Sequence, residues 1–165
     1  RGRLEQLLGE RGQLGYVLAL RRDPRAVPRG FRPVAADLSA PLEEALPACD
    51  AMVITLPPPE GADGYETPLR HLAAALPHRP ARTVFVSSTR VFEGYTDGRV
   101  LTEADAPAPV TARGRAILDG ELLAADLFGA HVVRPAGIYG PGRTMLVRKV
   151  IEGVPVQTSP STSLT

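Results

Sequence analysis

Apolar residues in this chain fall into short continuous runs, separated by Pro-, Gly- and Arg-rich stretches and by segments of helical period. Leu4, Leu7 and Leu8 lie at helical spacing, with Gly12 as the stop. Residues 16–20 predict a short strand that ends in Arg21-Arg22-Asp23-Pro24, and residues 33–37 predict a weaker one that ends on an acid. Residues 41–46 predict a short helix, and residues 51–56 a buried strand. Pro57-Pro58-Pro59 halts that strand, because proline has no N–H to give to a ladder. A helix is expected over residues 67–76, with Pro68 in its first turn, where a missing N–H costs nothing. A strand over 83–86 follows, then a polar, Gly/Pro-rich passage over 93–109. The longest helix is expected over 111–128, with Ile117, Leu118, Leu122 and Leu127 as its apolar face. Residues 131–134 predict a further strand, 135–143 a loop and 145–151 a helix, while 153–165 turn to Ser, Thr and Pro and predict a tail or linker.

Strands that alternate with helices at this pitch imply βαβ units, a parallel sheet and right-handed crossovers. The organising stretch is residues 82–92, where the apolar run Thr83-Val84-Phe85-Val86 leads directly into Ser87-Ser88-Thr89. A strand buried on both faces is a continuous apolar run without polar alternation. In an open α/β sheet, ligands sit beyond the carboxyl ends of the strands, so these hydroxyls are placed to meet one. Ser and Thr at a strand end serve equally as a helix or turn cap, and on this stretch alone the two readings stand level.

Composition narrows the class without naming a ligand. A chain of 165 residues has room for one domain with a real core. Hydrophobic content of 44% and charged content of 22% are ordinary for a globular protein. The formal net charge of +1 gives no reason to expect nucleic acid or a membrane surface as partner. No stretch reads as a membrane span or a signal peptide. The single Cys49 leaves no internal disulfide and suits a reducing compartment, so a cytoplasmic protein is the expectation. His71, His78 and His131 show no metal-ligand spacing with Cys49, and no metal site is expected. Lys149 is the one lysine beside eighteen arginines, so chemistry that needs a lysine has one candidate. The chain opens at Arg1, inside what reads as a helix, which leads us to expect a fragment or a sequence limited to ordered residues.

Three segments together resemble the extended short-chain dehydrogenase/reductase family, the NAD(P)-dependent epimerases and dehydratases. Residues 84–94 match its strand-SSxxVYG block, and residues 132–143 its R-P-x-x-(I/V)-Y-G-P-G block. Between them, residues 109–121 stand where the family carries P-x-x-Y-G-x-x-K-x-x-x-E. The similarity runs over residues 3–153, read as an incomplete NAD(P)-binding domain, with 154–165 as a tail or the remnant of a substrate domain. It implies a Rossmann-type α/β fold with a doubly wound parallel sheet. The family's first strand and glycine-rich phosphate loop are expected upstream of Arg3, and are absent from the chain.

The resemblance assigns roles residue by residue. Ser88 stands where a Ser or Thr polarises the substrate oxygen, a job for a short, rigid hydroxyl that donates to a developing oxyanion. The tyrosine position is Arg113 and the lysine position Ile117, so the usual proton relay is missing. Arginine cannot act as the acid, because its pKa exceeds about 12, but it can hold a carboxylate or phosphate. A solvated residue at a helix start explains Arg113 equally. Tyr139, after the last strand, is the candidate for a replacement proton donor. Arg21 and Arg22 stand at the adenosine ribose, where arginine favours a 2′-phosphate, so NADP is expected with NAD as the alternative. Two surface arginines in an arginine-rich chain would look the same. Asp37 and Leu38 match the adenine-contacting pair. Thr55, Leu56 and Pro57 match the backbone that passes the ribose and pyrophosphate. Ser87 joins the cofactor set, and Pro135, Ala136, Gly137 and Ile138 match the segment bordering the carboxamide. Glu103 and Asp105 read as solvated loop carboxylates, and Arg143 and Arg148 as a basic helix end or an anion site.

The pattern R-G-R-x-x-L-x-x-E over residues 113–121 resembles an atypical bacterial branch of the family. The expected function is an NAD(P)-dependent oxidoreductase or epimerase acting on a small carbonyl- or hydroxyl-bearing metabolite, such as a sugar nucleotide or secondary metabolite. A catalytically silent NAD(P)-binding sensor or scaffold is the alternative, and a homodimer formed through the helices over 67–76 and 111–128 is a further expectation.

Overall fold

A computed structural model of the chain describes residues 16–57, 64–138, 140, 144, 148 and 151–153. Its elements run β1 (Leu18–Arg21), β2 (Arg32–Ala35), β3 (Ala51–Ile54), α1 (Glu66–Ala75), β4 (Arg82–Val86), α2 (Ala112–Phe128) and β5 (His131–Val133). Short 3-10 turns occupy Pro24–Ala26 and Thr89–Phe92. Each strand pairing is parallel, giving a two-stranded sheet, β1-β2, and a three-stranded sheet, β3-β4-β5. The α/β class and parallel topology expected from the alternation are present. Among the described residues the strands form two sheets, with no pairing between β1 and β3.

Parallel register puts Ile54 beside Phe85 and Met52 beside Thr83, so these side chains share one face of the larger sheet. Helices α1 and α2 cover that face, and Leu69, Ile117 and Phe85 lie fully buried between the layers. Val53, on the other face, is 65% exposed, and Val133 is 49% exposed. Burial therefore alternates along strands whose sequence does not, because the two described long helices lie on one side only.

Helix α2 begins where the Thr111 side chain accepts the Gly114 N–H at 3.0 Å, and ends at Gly129 in the left-handed conformation (φ 59°). There the Gly129 N–H bonds the Ala125 carbonyl and the Ala130 N–H reaches back to Ala124. Its buried stripe is Ile117, Gly120, Glu121, Ala124 and Phe128, whereas Leu122 is 64% exposed, so the apolar face differs from the expected one. Thr111 also receives Glu93: Oε1 of that carboxylate accepts the Thr111 N–H at 2.7 Å and its hydroxyl at 2.6 Å. Glu93 thereby ties the turn after β4 to the start of α2, and its carboxyl is held below the usual carboxylate range, first by the Thr111 hydroxyl.

Residues 41–46 form no helix. Only five residues separate Pro41 from Pro47, too few to offset the cost of a helical nucleus. Leu46 is instead buried, with its N–H on the Ala75 carbonyl at 2.8 Å. Strand β3 ends two residues earlier than expected, which releases Thr55 and Leu56 into a turn. The passage over 93–109 is tied down: the Tyr95 hydroxyl donates to the Ala106 carbonyl at 2.9 Å, and Asp105 pairs with Arg99 and accepts the Thr102 N–H. The helices expected at residues 4–8 and 145–151 and the tail at 153–165 fall wholly or largely outside the described residues.

Thr83, on β4, is almost fully buried, and its hydroxyl has no hydrogen-bond partner among the described residues. Burying an unpaired hydroxyl costs about 1–3 kcal/mol. Thr83→Val should therefore raise stability by about 1 kcal/mol and Tm by about 2–4 °C. Thermal unfolding followed by circular dichroism checks this, and an unchanged or lower Tm would mean the hydroxyl is bonded.

Candidate functional site

The carboxyl ends of β3, β4 and β5 open onto one cavity of about 510 Å³. Thr55, Leu56 and Pro57 enter it from the turn after β3, and Val86, Ser87, Ser88 and Arg90 from the end of β4 and its turn. Pro135 and Ile138 come from the loop after β5, while Tyr65, Arg113 and Ile117 close it from the helical layer. Strands without polar alternation pack in parallel, so their loops emerge on one edge, and side chains distant in sequence meet there.

Ser88 is extended (φ −154°, ψ 147°) and caps the turn that follows, its Oγ accepting the Arg90 N–H at 3.2 Å. A hydroxyl has one proton to donate besides its acceptor lone pairs. The cap occupies a lone pair and leaves the O–H free to point at a ligand oxygen. The two readings of this residue are therefore compatible.

Ser87 behaves differently. Its hydroxyl donates to Glu121 Oε1 at 2.5 Å, so its one proton is taken within the protein. Glu121 is 3% exposed and also binds Arg134 through two hydrogen bonds, Nε to Oε1 at 2.9 Å and Nη2 to Oε2 at 2.7 Å. The bonds to Glu121 raise the Arg134 pKa above the ordinary guanidinium value. The Arg134 guanidinium also lies 5.0 Å from the centre of the Phe92 ring. This network joins α2, β4 and the segment that leads into Pro135, and so sets the spacing of two cavity walls.

Arg113 is exposed in the first turn of α2, where it lines the cavity without an ion pair or side-chain hydrogen bond among the described residues. Its charge reaches Tyr65. Tyr65 is buried, stacks edge-on against Phe85 at 5.3 Å, and donates its hydroxyl to the Leu56 carbonyl at 3.3 Å. Burial pushes its pKa up to about 12, against the opposing pull of Arg113. Tyr65 is thus a neutral phenol near neutral pH, a donor and not a base. Its ring also fills the space beside Gly120, where an added Cβ would collide with it.

The raised pKa has a consequence for stability. Folded Tyr65 holds its proton more tightly than the unfolded chain does. Its contribution is full below pH ~10 and is lost as pH rises from there through the folded value of about 12. Denaturant midpoints measured from pH 8 to 12 should fall more steeply in the natural protein than in Tyr65→Phe; parallel curves would contradict the assignment.

The adenosine-side candidates lie at the ends of β1 and β2. The Ala36 N–H bonds the Arg21 carbonyl at 3.1 Å, which sets Arg21 and Arg22 beside Asp37. The Asp37 carboxyl is held below its ordinary value by the Ser39 N–H and hydroxyl, with a smaller contribution from Arg22. Leu38 packs on the core, and its carbonyl lies 2.9 Å from His71 Nδ1. Ala136 and Gly137 belong to the loop after β5 without lining the cavity. Tyr139 and Arg143 lie outside the described residues.

These residues fit a dinucleotide at two points. Exposed guanidinium groups stand at the end of β1, and the larger cavity offers a hydroxyl, a neutral phenol and apolar walls that suit a flat ring. No glycine-rich phosphate loop occurs among the described residues. Among them no cluster of His, Cys, Asp or Glu is placed to hold a metal, and no helix is long and apolar enough to cross a membrane.

Tyr65, Arg90, Glu121 and Arg134 are the site residues that sequence reasoning missed. For Glu121 a signal was available: it falls on the buried stripe of a helix, four residues after Ile117, where a carboxylate requires a cation. Arg134, at the end of a strand, is that cation.

Residues 66–158 match the family model of the RmlD substrate binding domain. No curated protein sequence matches the chain. Among solved structures, a protein of Methylobacillus flagellatus described as an NAD-dependent epimerase/dehydratase is 25% identical, with a TM-score of 0.62 over 88% of this chain and 54% of that one. A protein of Burkholderia cenocepacia J2315 described as an epimerase is 23% identical, with a TM-score of 0.63 over 91% and 56%. MoeE5, in complex with UDP-glucose and NAD, is 24% identical, with a TM-score of 0.60 over 94% and 58%. The chain thus spans little more than half the length of each.

Proposed function

The chain belongs to the RmlD substrate binding domain family, of the extended short-chain dehydrogenase/reductase type, and on that footing we propose that the full-length protein is a nicotinamide-dependent oxidoreductase or epimerase. Its substrate is a small metabolite bearing a carbonyl or hydroxyl. One observation carries the reading: the loops after three parallel strands share a single cavity with Ser88 in its wall. A bound nicotinamide supplies or removes hydride there. Ser88 donates its free O–H to the substrate oxygen and stabilises the charge that grows on it. Pro57, Pro135 and Ile138 exclude water from one side. Arg21 and Arg22 favour the 2′-phosphate of NADP over the free hydroxyl of NAD. We read the protein as cytoplasmic.

Titration of the full-length protein with NADPH and NADH, followed by cofactor fluorescence, tests the cofactor half. Tighter binding of NADPH is expected, and weakening of that preference in Arg22→Ala. Binding of neither would overturn the proposal. The turnover half is read from cofactor absorbance with a panel of carbonyl compounds. A second reading, a silent dinucleotide-binding sensor, draws on the presence of Arg113 and Ile117 in the cavity wall where the family carries its tyrosine and lysine. Tight cofactor binding with no absorbance change across the panel would favour it.

A further inference from the structure

Among the described residues, the large cavity is lined by cations and by no carboxylate. The two charged residues among the described lining are Arg90 and Arg113. Arg90 leans on Glu93 Oε2 at 3.4 Å, while the other oxygen of that carboxylate is taken by Thr111 and Val110. Arg113 has no acidic partner among the described residues, and stands at the helix end where backbone N–H groups add positive potential. Exposed arginines are common in this chain. Arg113 differs in sharing a concave wall with the Ser88 hydroxyl and with a phenol that stays neutral, so among the described residues no lining group neutralises it. A guanidinium presents a planar fork of donors that matches a carboxylate or phosphate with two parallel bonds.

Resting on the nicotinamide-dependent reading above, we propose that the substrate is an oxyacid anion. Its carboxylate or phosphate is held by Arg113 with Arg90 beside it, so that the reacting oxygen is presented to Ser88. Arg113 then takes the place of the family tyrosine as a substrate-binding group instead of a proton donor.

The test uses full-length protein with saturating NADP, and oxalate and inorganic phosphate as probes of the two anion chemistries. At least one should raise Tm in a saturable way. Arg113→Leu should weaken that binding about ten- to hundredfold, with Arg113→Lys between the two. The affinity for NADPH should not change, and circular dichroism should show an unaltered fold, since Arg113 is exposed. In the turnover assay, 2-oxobutyrate or dihydroxyacetone phosphate should outpace its neutral counterpart, the methyl ester or dihydroxyacetone, through KM. Equal anion binding by the natural protein and Arg113→Leu, or none by either, overturns the proposal. Loss of NADPH affinity in Arg113→Leu would assign the cation to the cofactor's own phosphates, and also overturns it. Both leave the nicotinamide-dependent reading standing. Failure of the natural protein to bind NADPH or NADH sinks that reading instead, and probe titrations without cofactor still report on Arg113.

Discussion

Ser88→Ala in the full-length protein is expected to lower kcat by about two to three orders of magnitude while leaving the NADPH Kd within a few-fold. That magnitude is what removal of one preorganised donor from an oxyanion site costs. The substitution has a structural component, because Ser88 also caps the turn after β4 through the Arg90 N–H. Loss of such a cap costs about 1 kcal/mol, which lowers Tm but does not change the order of magnitude of turnover. Ser88→Thr separates the two effects, since it keeps both the cap and the donor and should recover most of the rate. A kcat unchanged in Ser88→Ala, with the small loss of Tm present, would leave Ser88 as a cap and nothing more.

The second large effect is expected at Glu121. Glu121→Ala leaves the Arg134 guanidinium and the Ser87 hydroxyl without their shared acceptor in a site where Glu121 itself is 3% exposed. Removing one partner of a buried pair costs about 3–5 kcal/mol. The Arg134 side chain is 24% exposed and recovers some hydration, which puts the expected loss near the lower end, about 3 kcal/mol, or about 6–12 °C in Tm. The double variant Glu121→Leu with Arg134→Met removes both charges and should be markedly more stable than Glu121→Ala, because most of the cost of the single change is the stranded cation. Chemical denaturation of the natural protein and the two variants checks this. A loss below about 1 kcal/mol for Glu121→Ala would mean that water solvates the pair.

The strands were legible in the sequence because each is a short apolar run closed by Pro, by charge or, after β4, by small hydroxyls, and their ends lie within two residues of expectation. The expected helix over residues 41–46 failed because hydrophobic spacing says nothing about the nucleation cost of a segment pinned between prolines. For α2, a helix was clear, but its buried face was not. Glycine and alanine at 120 and 124 face the core because Tyr65 and the sheet come close there, and no local period reveals so close an approach. The cavity-lining residues from strand ends, Ser88, Thr55 and Pro135 among them, were found through motif and topology together. Tyr65 was not, since it reaches the cavity from the start of a different helix and is tied to the site by tertiary contacts, among them its hydrogen bond to Leu56 and its stacking on Phe85.

Whether Ser88 faces a nicotinamide is read from a structure of the full-length protein bound to NADP. The nicotinamide ring is expected in the cavity beyond β3, β4 and β5, with Ser88 Oγ about 2.7–3.1 Å from where a substrate oxygen sits over the ring. A nicotinamide seated elsewhere, with Ser88 out of reach of it, would contradict this expectation.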